Sequence, residues 1–352
     1  MTRVLVSAEG QVDNIGDSVL RRGLLDALRP LGELVVGLRG STPDYASGLG
    51  LHDSDEVVSS SGEWRSLVAS QTRRGCGFAY NAGEAQLTRG WGVTYARLAP
   101  LLVLNRLRGG HAVHLGFGLR SEDRFWARVM RLSLAPCELV TWRDAASRDW
   151  VGTGTVAPDW AYAAGPAAPD GVAELPTSGR DVLAVSLRFD RPAPSAAWLK
   201  TVRAVADDRG LRIVAIAQVE RDRPRAADLA RLLDGDLVDW TGTAHADVEV
   251  QVRSVYRRSA LVVSDRLHAV VMGHTEGAVP VGLGTDSVAK LDRTLSAVGV
   301  TGAAFVAGDD VAGDISRVHD LLERRAEVLG CADTAGSRLA AVRGRLLDLF
   351  AR

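Results

Sequence analysis

The sequence predicts an α/β protein of two domains, each built on a parallel sheet, and three observations carry that prediction. Its 352 residues exceed what one hydrophobic core ordinarily organises. Short β-branched runs alternate with longer helical patterns in both halves of the chain. One segment rich in proline and glycine, with no periodic face, interrupts that rhythm between Ala163 and Arg180.

The expected boundaries follow. Residues 1–165 form an N-terminal lobe, 166–180 a linker, 181–330 a C-terminal lobe, and 331–352 a closing C-terminal helix. In the first lobe the candidate strands are Val4–Ala8, Glu33–Leu38, Ala112–Leu115 and Glu138–Trp142. A helix over Ser18–Leu28 fits between the first two, because Val19, Leu20, Leu24, Leu25 and Leu28 make a stripe at helical spacing. In the second lobe Val182–Leu187, Leu211–Ala217, Leu261–Ser264 and Val279–Leu283 read as strands buried on both faces. Helices fit at Ala196–Asp208, Ala226–Leu233, Ala246–Tyr256, Leu267–Glu276 and Ala289–Val298, and the charged tail from Ile315 reads as two amphipathic closing helices.

Composition narrows the classes. Forty-two Lys and Arg nearly cancel 43 Asp and Glu, so no global field favours nucleic acid or a membrane surface, and an anionic ligand needs a local cluster. Cys76, Cys137 and Cys331 are scattered, without disulfide or metal spacing, which fits a reducing, cytoplasmic setting. The apolar start Val4–Ala8 is too short for a signal peptide and reads as a strand. The most hydrophobic stretch, Ala260–Leu283, contains Asp265, Arg266, His268, His274 and Glu276, so no transmembrane segment is expected. GxxxxGK[ST], HExxH, GxSxG and zinc-type Cys/His groupings are all missing.

The most informative constellation is Ser264-Asp265-Arg266-Leu267-His268, which ends the apolar run Ala260–Val263. Such a run reads as a central parallel strand that delivers Arg266 and His268 to its carboxyl end, where open α/β sheets bind ligands. Ser264 or Asp265 is a candidate N-cap of the next helix. A cation at an apolar junction implies either a carboxylate partner or a bound anion, and a buried Arg266–Asp pair is one of the two outcomes. Arg188 ends another strand and Lys290 follows Val279–Leu283; with neighbouring strands, three cations and one imidazole would suit a small polyanion. In the first half, Asn14-Ile15-Gly16-Asp17 offers a tight turn with capping or ligand-binding side chains. Arg143 follows a strand, with Asp144 as a helix cap and Arg143 expected to face the cleft.

Together these elements resemble the polysaccharide pyruvyl transferase family. Its Asn-x-Gly-Asp turn looks like Asn14–Asp17, its Arg-Asp-x-x-Ser element like Arg143–Ser147, and its Asp-Pro-Ala segment is approximated by Pro158-Asp159-Trp160-Ala161. A strand ending in Ser-x-Arg looks like Ser186-Leu187-Arg188, and Ser264–Ala269, continuing through Gly277–Leu283 to Lys290, is the most specific match. Where the family has a glycine triplet this chain has Asn81-Ala82-Gly83-Glu84, and where it has Gly-x-Gly-Pro this chain has Gly116-Phe117-Gly118-Leu119.

The resemblance implies two Rossmann-like lobes facing a cleft, similar to B-type glycosyltransferases. It implies an enzyme that builds a pyruvate ketal, from phosphoenolpyruvate, on a sugar of a cell-surface polysaccharide (exopolysaccharide or cell wall) or its precursor. The acceptor would lie in the N-terminal lobe and the donor in the C-terminal lobe. His268 and Arg266 are the expected catalytic residues; Arg188, Lys290, Arg143, Asn14 and Asp17 are the expected substrate contacts. Phosphoenolpyruvate is a substrate, so no cofactor and no metal is expected. The sugar acceptor is free or lipid-linked, nucleic acid is not a partner, and peripheral membrane association is left open. Two alternatives remain: a B-type glycosyltransferase using a nucleotide sugar, and a binding protein of the same fold that has lost catalysis, motivated by the two N-terminal departures.

Overall fold

The computed structural model of the chain describes residues 2–165, 171–240 and 243–351. Residues 166–170 of the expected linker lie outside the described residues. The chain divides into two compact units, one of residues 1–12, 17–160 and 337–352, the other of residues 13–16 and 161–336.

The first unit holds strands β1 (Arg3–Ser7), β2 (Glu33–Gly37), β3 (Glu56–Val58), β4 (Gly77–Ala79), β5 (Gly83–Ala85), β6 (His111–Leu119), β7 (Leu139–Trp142) and β8 (Thr155–Val156). They pair in parallel in the order β3-β2-β1-β4-β6-β7-β8, with β5 added on β6. The second unit holds β9 (Val182–Ser186), β10 (Arg212–Ile216), β11 (Asp236–Val238), β12 (Ser259–Ser264), β13 (Val279–Gly284) and β14 (Ala304–Val306), in the order β11-β10-β9-β12-β13-β14, also parallel. Each sheet thus grows outward in both directions from its first strand, the doubly wound Rossmann-like order.

Helices supply the covering layers: α1 (Ile15–Leu28), α2 (Pro43–Ser47), α3 (Ser61–Thr72), α4 (Arg89–Leu107), α5 (Arg124–Ser133) and α6 (Ala145–Val151), then α7 (Ala196–Arg209), α8 (Arg223–Leu233), α9 (His245–Arg258), α10 (Leu267–Thr275), α11 (Ala289–Ser296), α12 (Val311–Glu323) and α13 (Arg325–Phe350). With helices on both faces, central strands must be apolar throughout; Val182–Val185, Leu261–Val263 and the Val4–Val6 run are all buried. The stripe Val19, Leu20, Leu24, Leu25 and Leu28 is buried as its spacing predicts. The helix starts at Ile15 rather than Ser18, because Asn14 Oδ1 accepts the Gly16 N–H (3.0 Å) and initiates the first turn early.

Every α10 side chain is buried, which explains why its sequence shows little amphipathic periodicity. No helix among the described residues is long and apolar enough to cross a membrane.

Candidate functional site

The second sheet reverses its winding between β9 and β12, and the crevice at the carboxyl ends of such a pair is where this fold binds ligands. Ser186 and Ser264 end these two strands in register. Ser264 Oγ donates to the Ser186 carbonyl and accepts the Arg266 N–H (2.9 Å), so it locks the two strand ends and shapes the entry to α10. Arg266 itself takes the N-cap position, and no side chain caps the helix there. Asp265, expected as a cap, reaches sideways instead: its Oδ1 accepts the Arg188 N–H at 2.9 Å.

Arg266 is forked onto Asp222, with Nε–Oδ2 at 2.7 Å and Nη2–Oδ1 at 2.6 Å. Asp222 is fully buried and its Oδ1 also accepts the Phe189 N–H (3.0 Å). Of the two outcomes open at the sequence level, the carboxylate partner is therefore present. Arg188 is likewise forked, onto Asp190 (2.9 and 2.6 Å), and that pair raises the Arg188 pKa while lowering that of Asp190 to about 2.

Asp265 sits among these groups with 8% of its surface exposed. Burial pushes its pKa up to about 6; the nearby Arg266 and Arg188 oppose that rise and Asp222 adds to it. Its Oδ2 has no hydrogen-bond partner among the described residues. The site therefore holds a carboxyl that changes protonation near neutrality, beside two guanidinium groups already tethered in place.

His268, the second residue of α10, is 8% exposed. Residues 13–16 pack with this unit. Asn14 bridges Val219, the Glu220 N–H donates to the Asp13 carbonyl (2.8 Å), and Arg221 forks onto Asp13 (2.6 and 2.5 Å). This anchoring presses Gly16 against the imidazole: a Cβ on Gly16 would lie 2.3 Å from His268 Cβ and 2.5 Å from Gln218 Nε2. A hydrogen is all that fits there, which is a direct reason for glycine in the Asn-x-Gly turn. Lys290 lies in the first turn of α11, after β13, the strand paired with β12. The loop between them is tied to the segment after β9 by Arg191–Asp286 (2.5 Å).

The other expected contacts fall in the first unit. Asp17 accepts the Gln11 N–H (2.9 Å) and pairs with Arg21 (3.3 Å). Arg143 is not an open cation: only 2% of its side chain is exposed, it meets Glu84 at 2.5 Å, and Asp159 is 3.6 Å away. Asp144 caps α6 by accepting the Ser147 N–H (2.8 Å). Gly118 and Gly116 make room for this assembly, since a Cβ would lie 2.3 Å from Arg143 Nε and 2.5 Å from Trp160 Cδ1 respectively. The Glu84 carboxylate supplies the charge that lets Arg143 be buried.

The first sheet has its own reversal, between β1 and β4, and a cavity of about 810 Å³ opens there. Ser7, Glu9, Ala79 and Asn81 line its strand-end side, while Trp64, Tyr80, Trp91, Tyr95 and Phe117 give it aromatic walls. Arg39, Arg65 and Arg97 add cationic edges. Tyr80 stacks on Tyr95 (4.7 Å, 5°), whose hydroxyl meets His114 Nε2 at 3.0 Å. Burial lowers the His114 pKa to about 3, so that imidazole stays neutral. The Tyr80 hydroxyl and Asn81 Oδ1 are buried without hydrogen-bond partners among the described residues, an unusual state for native polar groups. Flat aromatic faces with a few polar atoms suit a sugar ring. Sequence reading missed this cavity. The available signal was compositional: only 5% of residues are aromatic, yet these cluster before and after β4. Among the described residues no group of three or more His, Cys, Asp or Glu is placed to hold a metal ion.

Two doubly wound parallel sheets make this a Rossmann-like α/β fold of two units, and solved structures share that fold. A UDP-GlcNAc 2-epimerase from Neisseria meningitidis bound to UDP-GlcNAc matches with TM-score 0.60 at 10% identity, over 98% of this chain and 100% of the other. Anabaena HepE in complex with UDP matches with TM-score 0.58 at 12% identity, over the whole of both chains. The S. aureus MnaA–UDP structure matches with TM-score 0.55 at 12% identity, over 100% of this chain and 98% of the other. At such identities the likeness is one of fold. Comparison with curated protein sequences finds no match. The sequence itself is more specific: residues 14–287 match the family described as Polysaccharide pyruvyl transferase, and the chain belongs to that family.

Proposed function

We propose that the protein transfers pyruvate from phosphoenolpyruvate to a sugar of a polysaccharide or its precursor, forming a cyclic ketal. The single observation behind this reading is the group of Arg188, Asp265, Arg266 and His268 at the reversal of the second sheet, within a chain of the pyruvyl transferase family. Phosphoenolpyruvate brings a phosphate and a carboxylate; Arg188, Arg266 and Lys290 are the cations that receive them. Arg143 and Asp17 act through the architecture of the first unit, and Asn14 through the turn that seats Gly16 on His268.

The chemistry balances without a cofactor. One acceptor hydroxyl oxygen bonds to C2 of phosphoenolpyruvate while the methylene carbon takes a proton and becomes a methyl group. A second hydroxyl oxygen then bonds to C2 as the C2–O bond breaks and inorganic phosphate leaves. One of the two hydroxyl protons balances the methyl group, and the other leaves with phosphate or solvent. His268 is the proposed proton carrier, since an imidazole has one ring nitrogen that can accept a proton and one that can donate it. Guanidinium groups held by Asp222 and Asp190 stabilise charge on the departing phosphate with little reorganisation. The aromatic cavity of the first unit is the proposed acceptor site.

A nucleotide-sugar donor is the second reading, because the solved neighbours were crystallised with UDP or UDP-GlcNAc. The two readings separate by experiment. Stabilisation by phosphoenolpyruvate, with phosphate release on a panel of free and lipid-linked sugars and its loss in His268→Ala, supports pyruvyl transfer. Stabilisation by UDP alone, with no phosphate released from phosphoenolpyruvate, favours the glycosyl reading.

A further inference from the structure

Helices α4 and α5 pack against each other in the first unit and together contain six arginines and no acidic residue, in a chain whose net charge is −1. On α5 the buried side is Ala127, Met130 and Ser133, which leaves Arg124, Phe125, Arg128, Arg131 and Leu132 on the outer face. Phe125 and Leu132 are 66% and 67% exposed. On α4, Val103 and Leu107, one turn apart, are 48% and 78% exposed; Arg106 and the C-cap residue Arg108 flank Leu107, and Arg97 is exposed earlier on the helix. Arg106 pairs with Glu138 and Arg124 lies 3.7 Å from Glu122, whereas Arg97, Arg108, Arg128 and Arg131 form no ion pair among the described residues.

Large apolar side chains interleaved with unpaired arginines complement the boundary between anionic headgroups and acyl chains. There the guanidinium groups meet phosphate while Phe125, Leu132, Val103 and Leu107 leave water. A nucleic acid would answer the arginines but not four exposed apolar side chains. We propose that the outer face of α4 and α5 docks on an anionic phospholipid surface. Arg97, exposed on α4, also lines the aromatic cavity. The inference stands apart from the identity of the donor.

Flotation of the full chain with vesicles tests it. The protein should partition onto phosphatidylglycerol-containing vesicles and not onto pure phosphatidylcholine ones. Two double variants, Arg128→Glu with Arg131→Glu and Phe125→Ser with Leu132→Ser, should each weaken partition about tenfold or more. Val250→Ser, at an exposed apolar position of α9 in the second unit, should leave it unchanged. Circular dichroism confirms that each variant is folded. Failure to partition, equal binding to phosphatidylcholine, or survival of binding in the Phe125/Leu132 variant would overturn the proposal. The last outcome would mark a site for soluble polyanions, including RNA, instead.

Discussion

Replacing Asp265 by Asn should stabilise the protein, and only above a definite pH. Its carboxyl is 8% exposed and its folded pKa is about 6, driven up first by burial. An unfolded aspartate titrates near 4, so between about pH 4 and 6 the folded chain holds a proton that the unfolded chain has lost. Stability from this group therefore falls as pH rises through that window, and the penalty is complete above it. A shift of about two units corresponds to roughly 3 kcal/mol at neutral pH. Asparagine keeps the shape and an acceptor for the Arg188 N–H, and it removes the buried charge. Arg188, Arg266 and Asp222, the charged groups facing Asp265, are untouched by the exchange. Denaturation midpoints measured from pH 4 to 8 should coincide for the two proteins at the acid end and diverge in favour of Asp265→Asn toward pH 7.5. A difference independent of pH, or a variant less stable at pH 7.5, would refute the assignment of a burial-raised carboxyl.

Three further expectations follow from distances given above. Gly16→Ala forces a methyl group into contact with His268 Cβ and should cost about 1–3 kcal/mol in a thermal melt, with lowered turnover. Arg266→Ala strands the buried Asp222 carboxylate and should cost about 3–5 kcal/mol, so loss of activity in that variant reports folding as well as chemistry. Arg266→Lys, which keeps the charge but not the fork, should recover most of the melting temperature. Tyr80→Phe removes a buried hydroxyl that has no partner and should leave the melting temperature unchanged or slightly raised; weaker acceptor binding in the same variant would show that the hydroxyl points at ligand.

What could be read from the sequence was what periodicity and strand-end polarity encode. The long apolar runs at Val182 and Leu261 stand out because a doubly covered strand needs apolar residues on both faces. Strands β3, β4, β5, β11 and β14 are three residues long and β8 two, too short for any period to register, and they were missed. The Ser264–His268 cluster was visible as a polar end to an apolar run. Its partner Asp222 was not, because in Glu220-Arg221-Asp222-Arg223 it is indistinguishable from a solvated surface turn. The pressure of Gly16 on His268 joins residues some 250 positions apart, beyond the reach of any local pattern. Arg143 shows the converse: a cation after a strand looked like a ligand contact, and Glu84, 59 positions earlier in the chain, pairs with it.

The division of the chain also bears on how such a protein can be cut and recombined. Residues 13–16 belong to the second unit and 337–352 to the first, and the helix α13 is shared, passing from one to the other at residue 336. Neither unit is a contiguous stretch of gene. A fragment of residues 161–336 would carry His268 but not the turn that seats against it, and a fragment ending at residue 160 would lack Phe350, which packs beside His111. Exchange of one unit between related chains therefore requires four junctions rather than one. A chimera built with a single crossover near residue 161 would inherit two mismatched seams, at residues 13–16 and at residues 337–352.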